Sequence, residues 1–103
     1  MQRLSIIRVP GDPDKLLAAK EEHIDPVVQR KGSDYGHILH IAAKGPEGMV
    51  VVNLWESEQG SEDAFNDPEI VAAREEAAEA ASPTGPPEFT HFEVVDFRQT
   101  RGG

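Results

Sequence analysis

A histidine that takes up a proton near neutral pH, an amide that donates to oxygen and an indole with one N–H and a stacking face are the parts of a base-assisted site for an oxygen-bearing organic compound. In this sequence those parts are His40, Asn53 and Trp55, and two alternating segments bring them together. Gly36 to Lys44 and Met49 to Glu56 read as strands joined by a tight hairpin at Gly45-Pro46-Glu47-Gly48. A two-residue loop and a four-residue loop give one register there, and only a three-residue loop would shift it. That register sets His40 opposite Asn53, Ile38 opposite Trp55, Ala42 opposite Val51 and Leu39 opposite Leu54. His40, Asn53 and Trp55 are the candidate catalytic residues. The plainer alternative is that Trp55 fills the interior while His40 and Asn53 satisfy each other across the strands.

Arg74 is the next candidate. On a helix it shares the stripe of Ile70, Val71, Ala77 and Ala78, so every position three or four away is apolar and no acidic partner lies on its own helix. The side chain either snorkels to solvent or points an uncompensated charge into a cleft, where it would favour a substrate anion or carboxylate. His23 and Tyr35 complete the substrate-binding candidates. His23 follows Leu16 and Ala19 at helical spacing before Asp25-Pro26, where a cleft between helix and sheet could open, and Tyr35 precedes the first hairpin strand in a turn. His37 reads as a rim residue on the other face from His40, because residues three apart in a strand point oppositely. With no His-x-His or His-x-x-x-His pair, a metal site is not expected. Glycine-rich phosphate loops and the Gly-x-Ser-x-Gly motif of serine hydrolases are absent from the sequence.

The elements that must hold these residues are marked by caps and prolines. Arg3 to Val9 is an apolar strand stopped by Pro10-Gly11. Asp12-Pro13 is an N-cap followed by proline at the first helical position. The helix it opens carries the stripe Leu16, Leu17, Ala19, Ile24, Val27 and Val28, is kinked or split at Asp25-Pro26, and ends at Gly32. A second helical region starts at Ser57 and restarts at Asp67-Pro68, running from Glu69 to Ala81. Ser82 to Pro87 is a loop, and Phe89 to Phe97 a fourth strand. The order β-α-β-β-α-β predicts an α+β, ferredoxin-like domain spanning 1–103, a four-stranded antiparallel sheet with its helices on one face and a frayed tail over 98–103.

The pleat sorts the hairpin into two faces. Leu39, Ile41, Ala43, Val50, Val52 and Leu54 form an aliphatic set suited to lie under the helices. Ile38, His40, Ala42, Met49, Val51, Asn53 and Trp55 form a mixed set, too apolar for water, and expected to be a dimer interface or a ligand face. A homodimer packed sheet to sheet follows.

Composition narrows the partners. Ten Lys and Arg against nineteen Asp and Glu give a net charge of -9 with no basic cluster, which disfavours nucleic acid and anionic membrane. There is no cysteine, so neither disulfides nor a thiolate nucleophile are available, and a reducing cytoplasm fits. Met1 to Arg8 carries neither a sustained apolar run nor a cleavage site, which leaves a soluble cytoplasmic protein as the expectation.

Val50-Val51-Val52-Asn53-Leu54-Trp55-Glu56-Ser57, followed by Glu58 to Phe65 and then Asp67-Pro68, resembles the dimeric α/β-barrel superfamily, and within it the antibiotic biosynthesis monooxygenase-like domains. The resemblance covers nearly the whole chain. It implies the ferredoxin-like fold and several outcomes, among them oxygenases of aromatic polyketide-like substrates that use neither metal nor flavin, quinol oxygenases and haem-degrading oxygenases. In the haem-degrading members an axial histidine lies on the second helix, where the corresponding residue here is Arg74, which cannot ligate iron. The leading expectation is thus a cofactor-free monooxygenase acting on an aromatic or quinone-like small molecule. A non-catalytic dimeric binding or packing module and a cofactor-free isomerase or cyclase are the alternatives. A pocket of several hundred Å³ touching Trp55 and one of His40, His23 or Arg74 separates the ligand-binding readings from the packing module.

Overall fold

The computed structural model describes residues 1–100. Its elements are β1 (Arg3–Pro10), α1 (Pro13–Ala19), α2 (Asp25–Lys31), β2 (His37–Gly45), β3 (Gly48–Trp55), α3 (Glu58–Asn66), α4 (Pro68–Ala81) and β4 (Glu88–Glu93). The sheet is antiparallel throughout in the order β2-β3-β1-β4, the expected ferredoxin-like arrangement. Each expected cap is used. The Asp12 carboxylate accepts from the N–H groups of Asp14 and Lys15, the Ser57 hydroxyl from that of Gly60, and the Asp67 carboxylate from those of Glu69 and Ile70. Ser82, in the left-handed conformation at φ 50°, turns the chain out of α4. None of the helices among the described residues is long and apolar enough to cross a membrane.

Two elements differ from their expected form. At Asp25-Pro26 the helix does not break: five residues of π-helix, Lys20–Ile24, carry α1 into α2. The Pro26 ring would crowd the carbonyl four residues back, and the wider turn, in which the Asp25 N–H reaches the Lys20 carbonyl, makes room for it. Strand β4 stops at Glu93 rather than Phe97. Its neighbour β1 begins at Arg3, so after the Val94 N–H bonds the Gln2 carbonyl no strand is left to pair with. Residues 98–100 have no regular structure, and the rest of the expected frayed tail, 101–103, lies outside the described residues.

The hairpin closes in the expected register, Lys44 with Met49 and Gly45 with Gly48 around Pro46-Glu47. Gly48 is obligatory there, since a Cβ would sit 2.0 Å from the Val9 carbonyl oxygen. The assignment of the faces is reversed, however. The helices cover the mixed set: Met49 and Val51 pack with Ile7 and Val9 against Leu16, Ala19, Ala77 and Ala81, while Trp55 packs with Ala64 and Ile70. The aliphatic set faces away from the helices beside Leu4, Ile6 and Phe92, with Ile41 51% and Phe92 50% exposed. Alternation shows which residues share a face. It does not show which face the helices take when both are apolar.

Asp67 ties the helical layer together. Its carboxylate caps α4, accepts from Lys31 Nζ at 2.7 Å and accepts the Tyr35 hydroxyl, joining α2 and the 3-10 turn Gly32–Tyr35 to α4. Lys31 above all, then Tyr35, holds this carboxyl far below the usual carboxylate range. Leu16 does the corresponding apolar work at the other end. Replacing it by alanine should lower the unfolding free energy by about 2–3 kcal/mol, the low end for a buried leucine because it borders open space. Urea denaturation measures this, and an unchanged midpoint would show that α1 is not anchored through Leu16.

Candidate functional site

Helix α4 turns Ile70, Ala73, Ala77 and Ala81 toward the sheet. Three of the four are alanines, whose single methyl group cannot span the gap to the strands, so the core divides into a cluster around Leu16 and Met49 and another around Trp55. A cavity of about 370 Å³ lies between the helices and the sheet. Its apolar wall comes from Ile7, Val9, Val51 and Ala77 among others, and its polar groups are few: His37, His40, Asn53, Trp55, Arg74, Lys20, Asp25 and Gln29. A largely apolar wall with a few converging polar groups is the form of a small-molecule site.

His37 joins the polar floor because of a β-bulge. His37 pairs with Trp55 and Leu39 with Leu54, leaving Ile38 as the extra residue, in place of the expected pairing of Ile38 with Trp55. The bulge shifts the pleat by one, so His37 and His40 point the same way, not to opposite faces. His37 Nε2 lies 3.0 Å and His40 Nδ1 2.7 Å from Asn53 Oδ1. The His37 ring also lies on Trp55, centroids 4.6 Å apart. Both imidazoles are turned to an amide oxygen.

Arg74 does enter the cavity wall. Its guanidinium rests over the Phe65 ring at 4.1 Å, and Phe65 meets Phe89 edge-on at 5.3 Å, an aromatic pair at the cavity wall that remains partly exposed. Burial disfavours the charged form of Arg74, with nearby Glu75 opposing. His23 and Tyr35 stand outside the wall. His23 lies on the outer side of the π turn, 3.6 Å from Glu76, and the Tyr35 hydroxyl is committed to Asp67. The structure thus gathers His40, Asn53, Trp55 and Arg74 in one space and leaves His23 and Tyr35 out of it.

Four polar wall residues, His37, Lys20, Asp25 and Gln29, were not among the sequence candidates. His37 was hidden by the bulge. Lys20, only 5% exposed, donates to both carboxylate oxygens of Asp25 at 2.8 Å inside the helical roof. Its signal was present: it follows Leu16 by four residues on the apolar stripe of the helix, where a lysine needs a partner.

Among solved structures the chain is similar to Rv0793 from Mycobacterium tuberculosis, with 17% identity, a TM-score of 0.72, and 96% of this chain and 100% of that one covered. It is similar to the monooxygenase from the gene ActVA-Orf6 of Streptomyces coelicolor, in complex with Nanaomycin D, at 23% identity and TM-score 0.72, covering 94% and 90%. The fold is that of the antibiotic biosynthesis monooxygenase-like proteins. A dimeric ferredoxin-like protein of unknown function from Jannaschia sp. CCS1 shares it at 6% identity and TM-score 0.70, covering 91% and 100%. No family model matches the sequence, and none of the curated proteins does. At these identities the likeness is one of fold, as the segment from Val50 to Ser57 led one to expect.

Within this ferredoxin-like fold His37 is electrostatically biased toward the neutral imidazole. Burial pushes His37 below the ordinary histidine value, the bond to Asn53 opposes that, and His40 adds a further downward push. His91, which meets the Ser5 hydroxyl at 2.9 Å beside the floor, is also lowered, by burial first and then by Arg3. A histidine whose folded pKa is depressed binds its proton more weakly than the unfolded chain does. Stability is therefore complete above the unfolded value of 6.5 and falls as pH drops through it. Unfolding free energies at pH 7.5 and 5.5 should show that decline, with a smaller one in His37→Gln. A profile that is flat across this window would contradict a half-buried, neutral His37.

Proposed function

We propose that this chain is a homodimeric small-molecule-binding protein that oxygenates an aromatic or quinone-like compound in the cavity under α4, without a cofactor. The observation that carries the reading is the cavity itself, about 370 Å³ of open space bordered by Trp55, His40 and Arg74 together. The ligand in the Streptomyces coelicolor monooxygenase supports the idea that this fold accommodates organic compounds.

In this reading His40, Asn53 and Trp55 are the catalytic residues and Arg74 binds substrate. The Trp55 face stacks a planar ring, and His40 removes the proton of a phenol or enol. The anion formed is held by the Asn53 amide N–H and by Arg74, both in a wall poor in other polar groups, where such donors act strongly. An electron-rich anion of this kind reacts with dioxygen directly. One oxygen atom bonds to a ring carbon, and the hydroperoxide formed there loses water, turning a ring C–H into a carbonyl. Dioxygen is the only oxidant, water the only other product, and the proton taken by His40 leaves in that water. Lys20 and Asp25 offer a second polar anchor in the roof.

The same reading makes the open aliphatic face the dimer interface. Leu4, Ile6, Ile41, Val50, Val52 and Phe92 share the apolar sheet face that no helix covers, and the Jannaschia neighbour is described as dimeric.

Titration with a panel of quinols, phenols, flavins and haem, read by the fluorescence of Trp55, should give saturable quenching with the phenol or quinol class and oxygen uptake with the same compound. Silence across the panel would remove the ligand reading. His40→Ala should keep the quenching and lose about 10²–10⁴-fold in turnover, whereas Arg74→Ala should weaken binding of an anionic ligand about tenfold or more. Light scattering at micromolar concentration should report a dimer, and Ile41→Lys a monomer; a monomeric wild-type protein would refute the interface.

A further inference from the structure

His37 was assigned no part in that chemistry, yet its position is the most constrained in the floor. Its ring is wedged between Trp55 and the 3-10 turn, where a Cβ on Gly32 would lie 3.2 Å from His37 Nδ1. From there it reaches the same oxygen that His40 reaches, at 3.0 Å against 2.7 Å. An amide oxygen has two lone pairs and can only accept, so both nitrogens facing it must carry hydrogen. Asn53 Nδ2 has no hydrogen-bonding side chain or backbone partner among the described residues, and no side-chain nitrogen or oxygen among them is both sealed and unpartnered. That amide nitrogen is therefore accessible, in a residue that lines the cavity.

We propose that His37 is a positioning residue: together with His40 it saturates Asn53 Oδ1, fixing the amide with its N–H groups toward the cavity and holding the two imidazoles in opposite neutral tautomers. His37 carries its hydrogen on Nε2 and His40 on Nδ1, which leaves the His40 Nε2 lone pair free. The consequence for ligands rests on the reading of the cavity as a binding site. Asn53 then presents only donors and His40 Nε2 only an acceptor, so the floor takes an acceptor oxygen beside a hydroxyl and refuses the reverse arrangement. Without the second imidazole the amide could turn over, placing its oxygen in the cavity and its N–H groups against His40. That reversal would cost His40 the lone pair the base needs.

Nitrogen-15 NMR of the histidine side chains in the ligand-free protein, above pH 7, tests the clamp. The expected result is His37 protonated on Nε2 and His40 on Nδ1. His40 protonated on Nε2, with or without His37 on Nδ1, would mean that the amide faces the other way and would overturn the proposal. In His37→Leu the Nδ1 form of His40 should lose its dominance, while His37→Gln, which keeps a donor at that place, should retain it. A His40 tautomer unchanged in His37→Leu would also overturn the positioning role. Should His37→Leu fail to fold by circular dichroism, the wild-type tautomers and His37→Gln still decide. Correct tautomers in a protein that binds none of the panel compounds would leave the clamp standing and dispose of the ligand reading alone.

Discussion

An alanine contributes one methyl group to a helix surface, and α4 offers three of them, Ala73, Ala77 and Ala81, to a sheet that needs longer side chains to meet it. Close packing is the norm in protein interiors. Here it is met only at the two ends of the layer, by Leu16 and Met49 on one side and by Trp55 and Ile70 on the other. The space between follows from that choice of roof. So does the need for props that keep the roof from settling: the Asp67 hub at one end of α4, and at its other end the Ser82 turn, beyond which the Thr84 N–H bonds the Pro10 carbonyl. Polar side chains on the floor are tolerated because the space above is not filled by hydrocarbon.

The elements were legible in the sequence because their ends are written in local chemistry. Asp12-Pro13, Ser57 and Asp67-Pro68 each start a helix for reasons contained within four residues. Gly48 must be glycine because the Val9 carbonyl passes where a Cβ would stand. The faces of the sheet were not legible in the same way. Leu39, Ile41, Val50 and Val52 look like a core, and in an isolated chain they are the face left open. Which apolar face meets helices and which meets another surface depends on where the helices settle, a tertiary outcome that the strands alone do not encode.

The candidate site was legible where a single residue type carried the signal. Trp55, Asn53 and His40 share a pleat phase fixed by the hairpin, and Arg74 announces itself as a cation amid alanines. His23 and Tyr35 misled because proximity to a helix break or a turn says nothing about the direction in which a side chain leaves it. The π turn that carries the chain past Pro26 sends His23 outward to Glu76, while Lys20, at the same turn, points inward to Asp25. One inserted hydrogen-bonding step decides which of two polar residues meets the cavity.

The bulge at Ile38 has a counterpart in heredity. The pair of imidazoles under Asn53 depends on Ile38 standing outside the ladder, so losing the codon for Ile38 would close the strand regularly, leave His37 opposite Trp55 and two places from His40, and keep both imidazoles on one surface of the sheet. Deletion of the bulged residue is a change in length that this floor tolerates. Two relatives with the same histidines, one carrying the bulged residue and one lacking it, would present the same pair beneath Asn53.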